Sequence, residues 1–341
     1  MDTTGTYDEA LTRLHTTGPE RLGRLTNHAP MAVEALAARG QAPAVHRWLD
    51  VYAAKLEEFP SAHARVTDAN WTEALGDPRR AADWIAHFER LLSERAWRDV
   101  LAQWWPRLLP GMYGGSTHPV IRVGHAVRGL LEDDGSAPRL TELAHGLGYW
   151  AARHHLAPDA VPLPGAVSAA AALDSVPPLR VRDGGFPDRL ARVTHLPAWA
   201  VAPGSPEEAR AKLAELVRAA VRRYATHGHG EETMLVHAST APNAVLRTLP
   251  ALPRALWVPS LHAAWTASAA VTAMYAPDEP IAYRSRGAAS LSPDEVFERA
   301  AAHGDEHVVK FADTALDVGG EQALSSALYA VEISEPLKAA P

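Results

Sequence analysis

The chain has 341 residues and a formal net charge of −7; it is 47% hydrophobic and 21% charged, a composition typical of globular proteins. The absence of cysteine excludes disulfides, thiolate-held zinc, iron–sulfur clusters and a cysteine nucleophile. An acidic chain without a Lys/Arg-rich segment lacks the charge that attracts nucleic acids or anionic membranes. No apolar run approaches the ~20 residues of a membrane-spanning helix, and the polar start of the chain is unlike a signal peptide. We therefore expect a cytoplasmic protein that binds neither nucleic acid nor membrane.

Apolar residues recur at helical spacing along most of the chain. The predicted helices, in chain order, are 31–38, 48–59, 78–100, 120–131, 139–153, 206–224, 241–249, 261–275, 293–316 and 321–331. Strand-like alternation is confined to two short runs, 179–181 and 233–236. The sequence therefore predicts an all-α fold.

Pro, Gly and Asp cluster between the predicted helices, but no cluster is long enough to be an interdomain linker. These breaks lie at 132–138, 176–188, 202–206 and 276–293. We expect one compact helical domain over 1–341 that buries a metal centre, with its core at about 20–331 and frayed termini at 1–15 and 333–341. The sequence carries no signal for an oligomeric state.

Three histidines each stand shortly before a proline that marks a predicted helix start. They are His28 in NHAP (27–30), His118 in THP (117–119) and His237 in HASTAP (237–242). Asn27, Thr117 and Thr240 are residue types that favour the N-cap, and proline is tolerated in a first turn. The positive end of a helix dipole disfavours imidazolium, so it favours the neutral ring that binds a metal.

The segment AHGDEHVVKFAD (302–313) places a histidine and a lysine among apolar residues. If Asp305 caps the following helix, His307 and Lys310 lie on one of its faces, directed to the interior. Burial would lower the pKa of Lys310, and its neutral amine could act as a base, form an imine or accept carbon dioxide. A carbamate beside a histidine suits iron, manganese or zinc. In the alternative reading, Lys310 reaches the surface and His307 is an ordinary helical histidine.

Five segments, in this order, resemble the successive motifs of the questin oxidase-like family: NHAPMAVEAL, GMYGGSTHPVIRVGHAVRGL, LAHGLGYWAAR, VHASTAPNAVLRTLPAL and HGDEHVVKFADTAL. They span about residues 20–318. The resemblance implies a helical oxygenase of secondary metabolism that oxidises or opens a ring of a polycyclic aromatic polyketide of the anthraquinone type. It also implies a non-haem iron(II) centre, with dioxygen as co-substrate and a small aromatic molecule as substrate.

Carried over motif by motif, the resemblance implies the ligands of that iron. One further coordination position would be left for dioxygen, water or substrate. The implied ligands are His28, His118, His237, His307 and a carboxylated Lys310.

Three other histidines compete for a role near the metal. His125 lies seven residues after His118 on the same helix face, so it is either a further ligand or a proton-transfer group. His262, on the predicted helix with Trp265, is a candidate for lining the substrate pocket. Either His125 or His262 could deprotonate a phenol as a catalytic base. His303 stands four residues before His307, but Gly304 between them suggests that the helix starts later.

Conventional catalytic motifs are missing from the sequence. There is no HExxH metal motif, no G-x-S-x-G nucleophile motif and no phosphate-binding loop. The family name suggests an NADPH-dependent Baeyer–Villiger reaction, but no G-x-G-x-x-G motif follows a predicted strand to hold NADPH or a flavin.

Two other functions fit the same residues. A hydrolase could use the same histidines and carbamylated lysine to hold zinc or a metal pair, for which Glu34 and Asp305 are the nearest additional carboxylates. A helical binding protein without catalytic activity would carry these histidines incidentally.

Overall fold

The computed structural model describes residues 4–199 and 203–338. Helices make up most of this part of the chain, which confirms the all-α prediction. None of the helices in it combines the length and the apolar character needed to cross a membrane. The chain divides into two compact units, of which unit 1 takes in 4–156, 247–253 and 338, and unit 2 the other described residues. The prediction of one domain over 1–341 stays a prediction.

Unit 1 consists of helices and one short hairpin. Its α-helices are α1 (Thr4–Leu14), α2 (Ala29–Ala38), α3 (Ala42–Tyr52), α4 (Trp71–Ala74), α5 (Ala81–Glu94), α6 (Trp97–Leu108), α7 (His118–Glu132) and α8 (Ala137–Ala152). Short 3-10 helices are Ala53–Lys55, Pro78–Arg80, Leu109–Gly111, Gly114–Thr117 and Leu249–Ala251. Strands β1 (Glu20–Arg21) and β2 (Leu25–Thr26) pair antiparallel, with Glu20 opposite Thr26.

Helix α8 is the centre of unit 1, because it packs against α5, α7 and α1. Glycines allow this close approach. A Cβ atom at Gly148 would lie 2.7 Å from the backbone nitrogen of Ile85 in α5, and one at Gly146 would lie 3.1 Å from Val123 Cγ2 in α7. Helix α2 packs against α1, α3 and α7, so the helices that carry His28 and His118 are neighbours.

Unit 2 is also helical. Its α-helices are α9 (Ala169–Asp174), α10 (Phe186–Leu190), α11 (Pro206–His227), α12 (Glu232–Leu235), α13 (His237–Thr248, with the chain returning to unit 1 from Arg247), α14 (Trp257–Tyr275), α15 (Pro293–His303), α16 (Glu306–Val318) and α17 (Glu321–Ile333). The 3-10 helices are Gly228–Gly230, Arg254–Leu256 and Ala288–Ser290. Strands β3 (Val161–Leu163) and β4 (His195–Pro197) pair in parallel.

Helix α11 is the centre of unit 2 and packs against α9, α14, α16 and α17. Helix α13 contains Pro242 in its interior. Proline has no N–H, so it leaves the carbonyl of the residue four positions earlier, Ala238, without its helical partner. Ser268 of α14 donates its hydroxyl to that carbonyl at 2.6 Å, which satisfies the oxygen. The proline is therefore accommodated by a neighbouring helix.

Several predicted helix boundaries are wrong. The helix predicted over 48–59 is α3, which starts at Ala42 with proline in its first turn and ends at Tyr52. The helix predicted over 78–100 is broken by extended backbone at Arg95 and Ala96, so α5 and α6 are separate. The helix predicted over 293–316 is divided at Gly304, which takes a left-handed conformation with a φ of 79°.

Three further predictions need correction. The run 233–236, predicted as extended, lies largely in α12, and 179–181 forms no strand. The N-terminal segment 1–15, predicted to be frayed, forms α1 from Thr4, and α1 buries Leu11 and Leu14 against the unit. In the C-terminal segment, the Leu337 N–H donates to the His303 carbonyl at 3.1 Å, so this part of the segment is held in place. Residues 1–3 and 339–341 lie outside the described residues.

Candidate metal centre

His28 is buried, with 3% of its surface exposed, and is the N-cap residue of α2. Its imidazole is not used as a cap, because the Asn27 side chain accepts a hydrogen bond from the Ala29 N–H at 3.0 Å. The His28 N–H donates to the hydroxyl of Tyr52 at 3.1 Å. These contacts hold the backbone of His28 in place.

His118 is the first residue of α7 and follows a strained turn. Gly115, Ser116 and Thr117 all have left-handed φ values, of 55°, 55° and 67°. This conformation is rare for residues other than glycine and most costly for a β-branched one such as Thr117. The turn places the Gly115 carbonyl 2.7 Å from His118 Nδ1. Nδ1 must therefore carry the ring proton, so the lone pair of the neutral ring is on Nε2, as in many metal-binding histidines.

The structure brings His28 and His118 together within unit 1. Their ring centroids are 4.4 Å apart, and the rings are tilted by 41°. Imidazole nitrogens bind metals at about 2.0–2.1 Å, so two rings at this separation are close enough to share an ion.

His125 belongs to a different cluster in unit 1. Its Nδ1 lies 2.5 Å from Glu34 Oε2, and Arg128 donates to both oxygens of the same carboxylate, at 2.6 and 2.5 Å. Burial alone would raise the pKa of Glu34, but the Arg128 guanidinium and the hydrogen bond from His125 lower it to about 2. Burial lowers the pKa of His125 despite the Glu34 carboxylate. A neutral His125 therefore donates Nδ1–H to Glu34 and has its basic lone pair on Nε2.

In unit 2, Asp305 caps α16 as predicted. Its Oδ1 accepts hydrogen bonds from the N–H groups of His307 and Val308, both at 3.0 Å. His307 and Lys310 follow on this helix with 8% and 1% of their surface exposed. The alternative reading, in which Lys310 reaches the surface, is wrong.

Burial lowers the pKa of Lys310 to about 8, although the negative charges of Glu306 and Asp305 oppose the shift. Glu306 is itself buried and lies four residues before Lys310, one helical turn away. One ligand atom from each of Asp305, Glu306 and His307 lies within 4.8 Å of the other two. The start of α16 therefore groups oxygen and nitrogen donor atoms, and a lysine that loses its proton more readily than usual follows one helical turn after Glu306.

His237 is fully buried and is the first residue of α13. Its ring centroid lies 5.6 Å from that of His307, with a tilt of 36°. Unit 2 therefore also contains a histidine pair. The helix start itself differs from the prediction: Thr240 is not an N-cap, because α13 begins at His237 and Pro242 lies inside it.

The donor chemistry within each unit fits a metal ion. Neutral imidazoles and carboxylate oxygens are ligands that iron, manganese and zinc accept. In addition, two buried hydroxyls, Thr117 Oγ1 beside His118 and Thr240 Oγ1 one turn after His237, have no hydrogen-bond partner among the described residues. Buried polar atoms are normally satisfied, so these positions suit an additional bound group.

His262 lies on α14 and is half-buried, one turn before the buried Trp265. Trp265 donates its indole N–H to the Pro197 carbonyl at 3.1 Å and is part of the core of unit 2. The catalytic role of His262 stays a prediction. His303, the other histidine close to His307, ends α15, and its Nε2 lies 3.1 Å from the Ser334 carbonyl.

Sequence reasoning missed two carboxylates in these clusters. Glu34 entered only as an extra ligand for a metal pair, whereas it holds His125 and Arg128. The sequence did point to Glu34, because it is the only charged residue in the otherwise apolar helix α2. Glu306 was not considered, although a Glu four residues before a Lys on one helix is a recognisable pair.

No curated protein matches this chain. The family model described as Questin oxidase-like matches residues 25–131. This segment contains His28, His118 and His125, whereas His237, His307 and Lys310 lie beyond it. This match confirms the resemblance seen in the sequence motifs over residues 25–131.

Proposed function

We propose that this protein is a metal-dependent oxygenase that oxidises or cleaves a ring of a flat, polycyclic aromatic polyketide, with dioxygen as co-substrate. The metal is iron(II), held by His28, His118, His237, His307 and a carboxylated Lys310, as the family resemblance implies. The observation that carries the proposal is that the predicted ligands form a buried histidine pair in each unit, with a buried lysine on the helix of His307.

Lys310 contributes through its amine. With a pKa near 8, a larger fraction of the amine is neutral at physiological pH than for an exposed lysine. The neutral amine attacks carbon dioxide, a C–N bond forms, and one proton is released to solvent. The product is a carbamate whose oxygens are metal ligands of the carboxylate type.

The other residues orient ligands and handle protons. The Gly115 carbonyl keeps the proton of His118 on Nδ1, which directs the Nε2 lone pair toward a metal. The Glu34 carboxylate orients His125 in the same way and stabilises its protonated form. His125 Nε2 is therefore suited to accept the proton of a substrate phenol, which makes the ring electron-rich. Iron(II), when bound, would supply the redox chemistry that couples such a ring to dioxygen.

Metal analysis after anaerobic loading with iron(II) tests the ligand set. We expect one iron per chain in the native protein, and a loss of affinity of more than about 100-fold in His118→Ala and His307→Ala, since even the loss of a group that only hydrogen-bonds to a ligand costs about 10- to 100-fold. His229→Ala, at an exposed position, is the matched control and should bind iron normally. Unchanged iron content in both ligand variants would contradict the proposal.

The carbamate has its own readout. In buffer containing ¹³C-bicarbonate, the native protein should give a carbamate carbon signal that disappears in Lys310→Met and persists in Lys338→Met, a variant at an exposed lysine. Oxygen consumption with a hydroxyanthraquinone then separates the oxygenase from the zinc hydrolase, which would act on its substrate without oxygen. A protein that binds no metal and shows no carbamate signal would be the helical binding protein.

A further inference from the structure

Unit 2 contains a cleft of about 850 Å³, which is within the usual range for small-molecule sites. One face of α11 forms a wall of this cleft, with Arg218, Ala219, Arg222 and Arg223 at helical spacing. The facing walls carry the apolar residues Leu173, Val176, Pro178, Pro277 and Ile281, together with Asp174 and Asp278. An apolar slot with a charged wall suits a ligand that is flat and apolar but carries a charged group.

Three acidic side chains line this cleft together with its three arginines. Each of its three acidic side chains already has a partner: Asp174 pairs with Arg223, Asp278 with Arg182 at 2.7 Å, and the Glu215 carboxylate accepts the Ala169 N–H at 2.7 Å.

Arg218 and Arg222 have no ion-pair partner within the described parts of the chain. These two arginines are exposed and lie one turn apart on the same helix face, where like charges repel each other. An anion bound between them would relieve that repulsion.

A second, smaller cavity adjoins the cleft. It has a volume of about 20 Å³ and shares Leu173, Arg223 and His227 with the cleft, and Tyr224 and Ala238 also line it. Ala238 directly follows His237 in α13. The ring of Tyr224 contacts that of Phe311, the residue after Lys310, with centroids 4.4 Å apart.

We propose that this cleft binds a flat, apolar molecule that carries an ionised acid group, with the rings against the apolar walls and the acid between Arg218 and Arg222. That this molecule is the substrate rests on the proposed function, and the acid group would then be a recognition element of that substrate. The Arg223 guanidinium, which is partly buried and paired with Asp174, shapes the inner end of the cleft.

Equilibrium dialysis with two matched probes tests this site, using the full chain without metal. Anthraquinone-2-carboxylate should bind roughly 5- to 20-fold more tightly than anthraquinone-2-carboxamide, because two charge pairs with exposed arginines are gained. Added salt should weaken this preference. Equal affinities for the two probes would overturn the proposal.

Variants locate the binding. Arg218→Gln with Arg222→Gln should abolish the preference and leave the carboxamide affinity unchanged, while Arg210→Gln, an exposed arginine of α11 outside the cleft, should change neither affinity. Ala219→Trp should weaken both probes by filling the cleft. A preference that survives in the double variant would contradict the assignment.

Iron content of the double variant separates the two proposals. It should equal that of the native protein, because Arg218 and Arg222 are not among the proposed iron ligands. A failure of the cleft proposal therefore shows in the dialysis, and a failure of the metal proposal shows in the iron content.

Discussion

His118 and His125 lie on the same helix, two turns apart, but the protein orients their rings by different means. A backbone carbonyl in a left-handed turn holds His118, whereas a buried carboxylate holds His125. A neutral carbonyl sets the tautomer without adding charge, which suits a ligand that remains neutral. A carboxylate also stabilises the protonated ring, which suits a group that gains and releases a proton. The two orienting groups thus match the different roles proposed for these histidines.

The substitution Glu34→Gln tests how strongly its cluster holds unit 1 together. Gln preserves the shape but removes the charge, so the Arg128 guanidinium, whose side chain is 16% exposed, loses its carboxylate. Breaking a buried ion pair is typically strongly destabilising, so we expect the free energy of unfolding in urea to fall by about 3 kcal/mol. Glu94→Gln, at an exposed position of α5, should change it by less than about 0.5 kcal/mol. Equal stabilities of both variants would show that the pair gives no net stabilisation.

At the scale of elements, the predicted ligand histidines share a position. His28 is the N-cap of α2, His118 and His237 are the first residues of α7 and α13, and His307 is the second residue of α16. Each ring therefore lies near the positive end of a helix dipole, which favours the neutral form. The neutral imidazole is the form that binds a metal.

Helix α13 offers a test of how its internal proline is tolerated. Ser268→Ala removes the donor to the Ala238 carbonyl, and Pro242 has no N–H to replace that donor. We therefore expect the free energy of unfolding to fall by about 1–3 kcal/mol. In a Pro242→Ala background, the restored N–H can donate to Ala238, and the same serine substitution should cost much less. Urea denaturation of the native protein, the two single variants and the double variant measures how far the effects of the two substitutions depend on each other. Equal costs in both backgrounds would mean that the serine does not compensate for the proline.

The sequence predicted elements well where an amphipathic pattern has clear ends. Helix α17 and helix α8 lie within two residues of their predicted limits, and Asp305 caps α16 as expected. The break at Arg95 and Ala96 was missed because neither residue is a helix breaker, so tertiary packing decides it. The left-handed turn before His118 was missed because serine and threonine rarely adopt that conformation.

The candidate site could be predicted only in part, for a related reason. The histidines and Lys310 came from motifs, and local pattern placed Lys310 in the interior. The role of Glu34 could not be read locally, because its contact with His125 joins positions 91 residues apart. The Arg-lined cleft depends on how α9 and α11 pack, although Arg218 and Arg222 share a helix face in the sequence.

At the scale of the whole molecule, buried ionisable groups of unit 1 set its response to acid. Arg122 pairs with Glu142 at 2.6 and 2.8 Å, and His15 Nε2 lies 3.4 Å from the same carboxylate. Burial would raise the pKa of Glu142, but Arg122 and His15 lower it to about 2. Burial and the Arg122 charge lower the pKa of the neighbouring His145 to about 3. Both side chains have little exposure to solvent.

The lowered pKa values of Glu142 and His145 both make the folded protein less stable as the pH falls. The ordinary pKa of Glu142 is 4.5, and its pKa in the folded protein is about 2. The ionised Glu142 carboxylate therefore stabilises the fold fully above pH 4.5, and this stabilisation is lost as the pH falls toward 2. His145 folds in its neutral form, so its contribution is complete above its ordinary pKa of 6.5 and is lost as the pH falls toward 3. Unit 1 should therefore lose stability continuously on acidification from about pH 6.5, first through His145 and then also through Glu142 and Glu34.

Glu142→Gln isolates one part of this response. The variant should be less stable near neutral pH, by on the order of 3 kcal/mol, because the buried Arg122 loses its carboxylate. Below pH 4.5, however, its stability should fall less steeply than that of the native protein, by up to about 1.4 kcal/mol per pH unit, since one proton fewer is taken up on unfolding. Tryptophan fluorescence in urea at a series of pH values measures both effects, and Glu94→Gln should keep the native slope. If Glu142→Gln also keeps that slope, the carboxyl group of Glu142 does not titrate with a lowered pKa, and acid sensitivity must come from other groups.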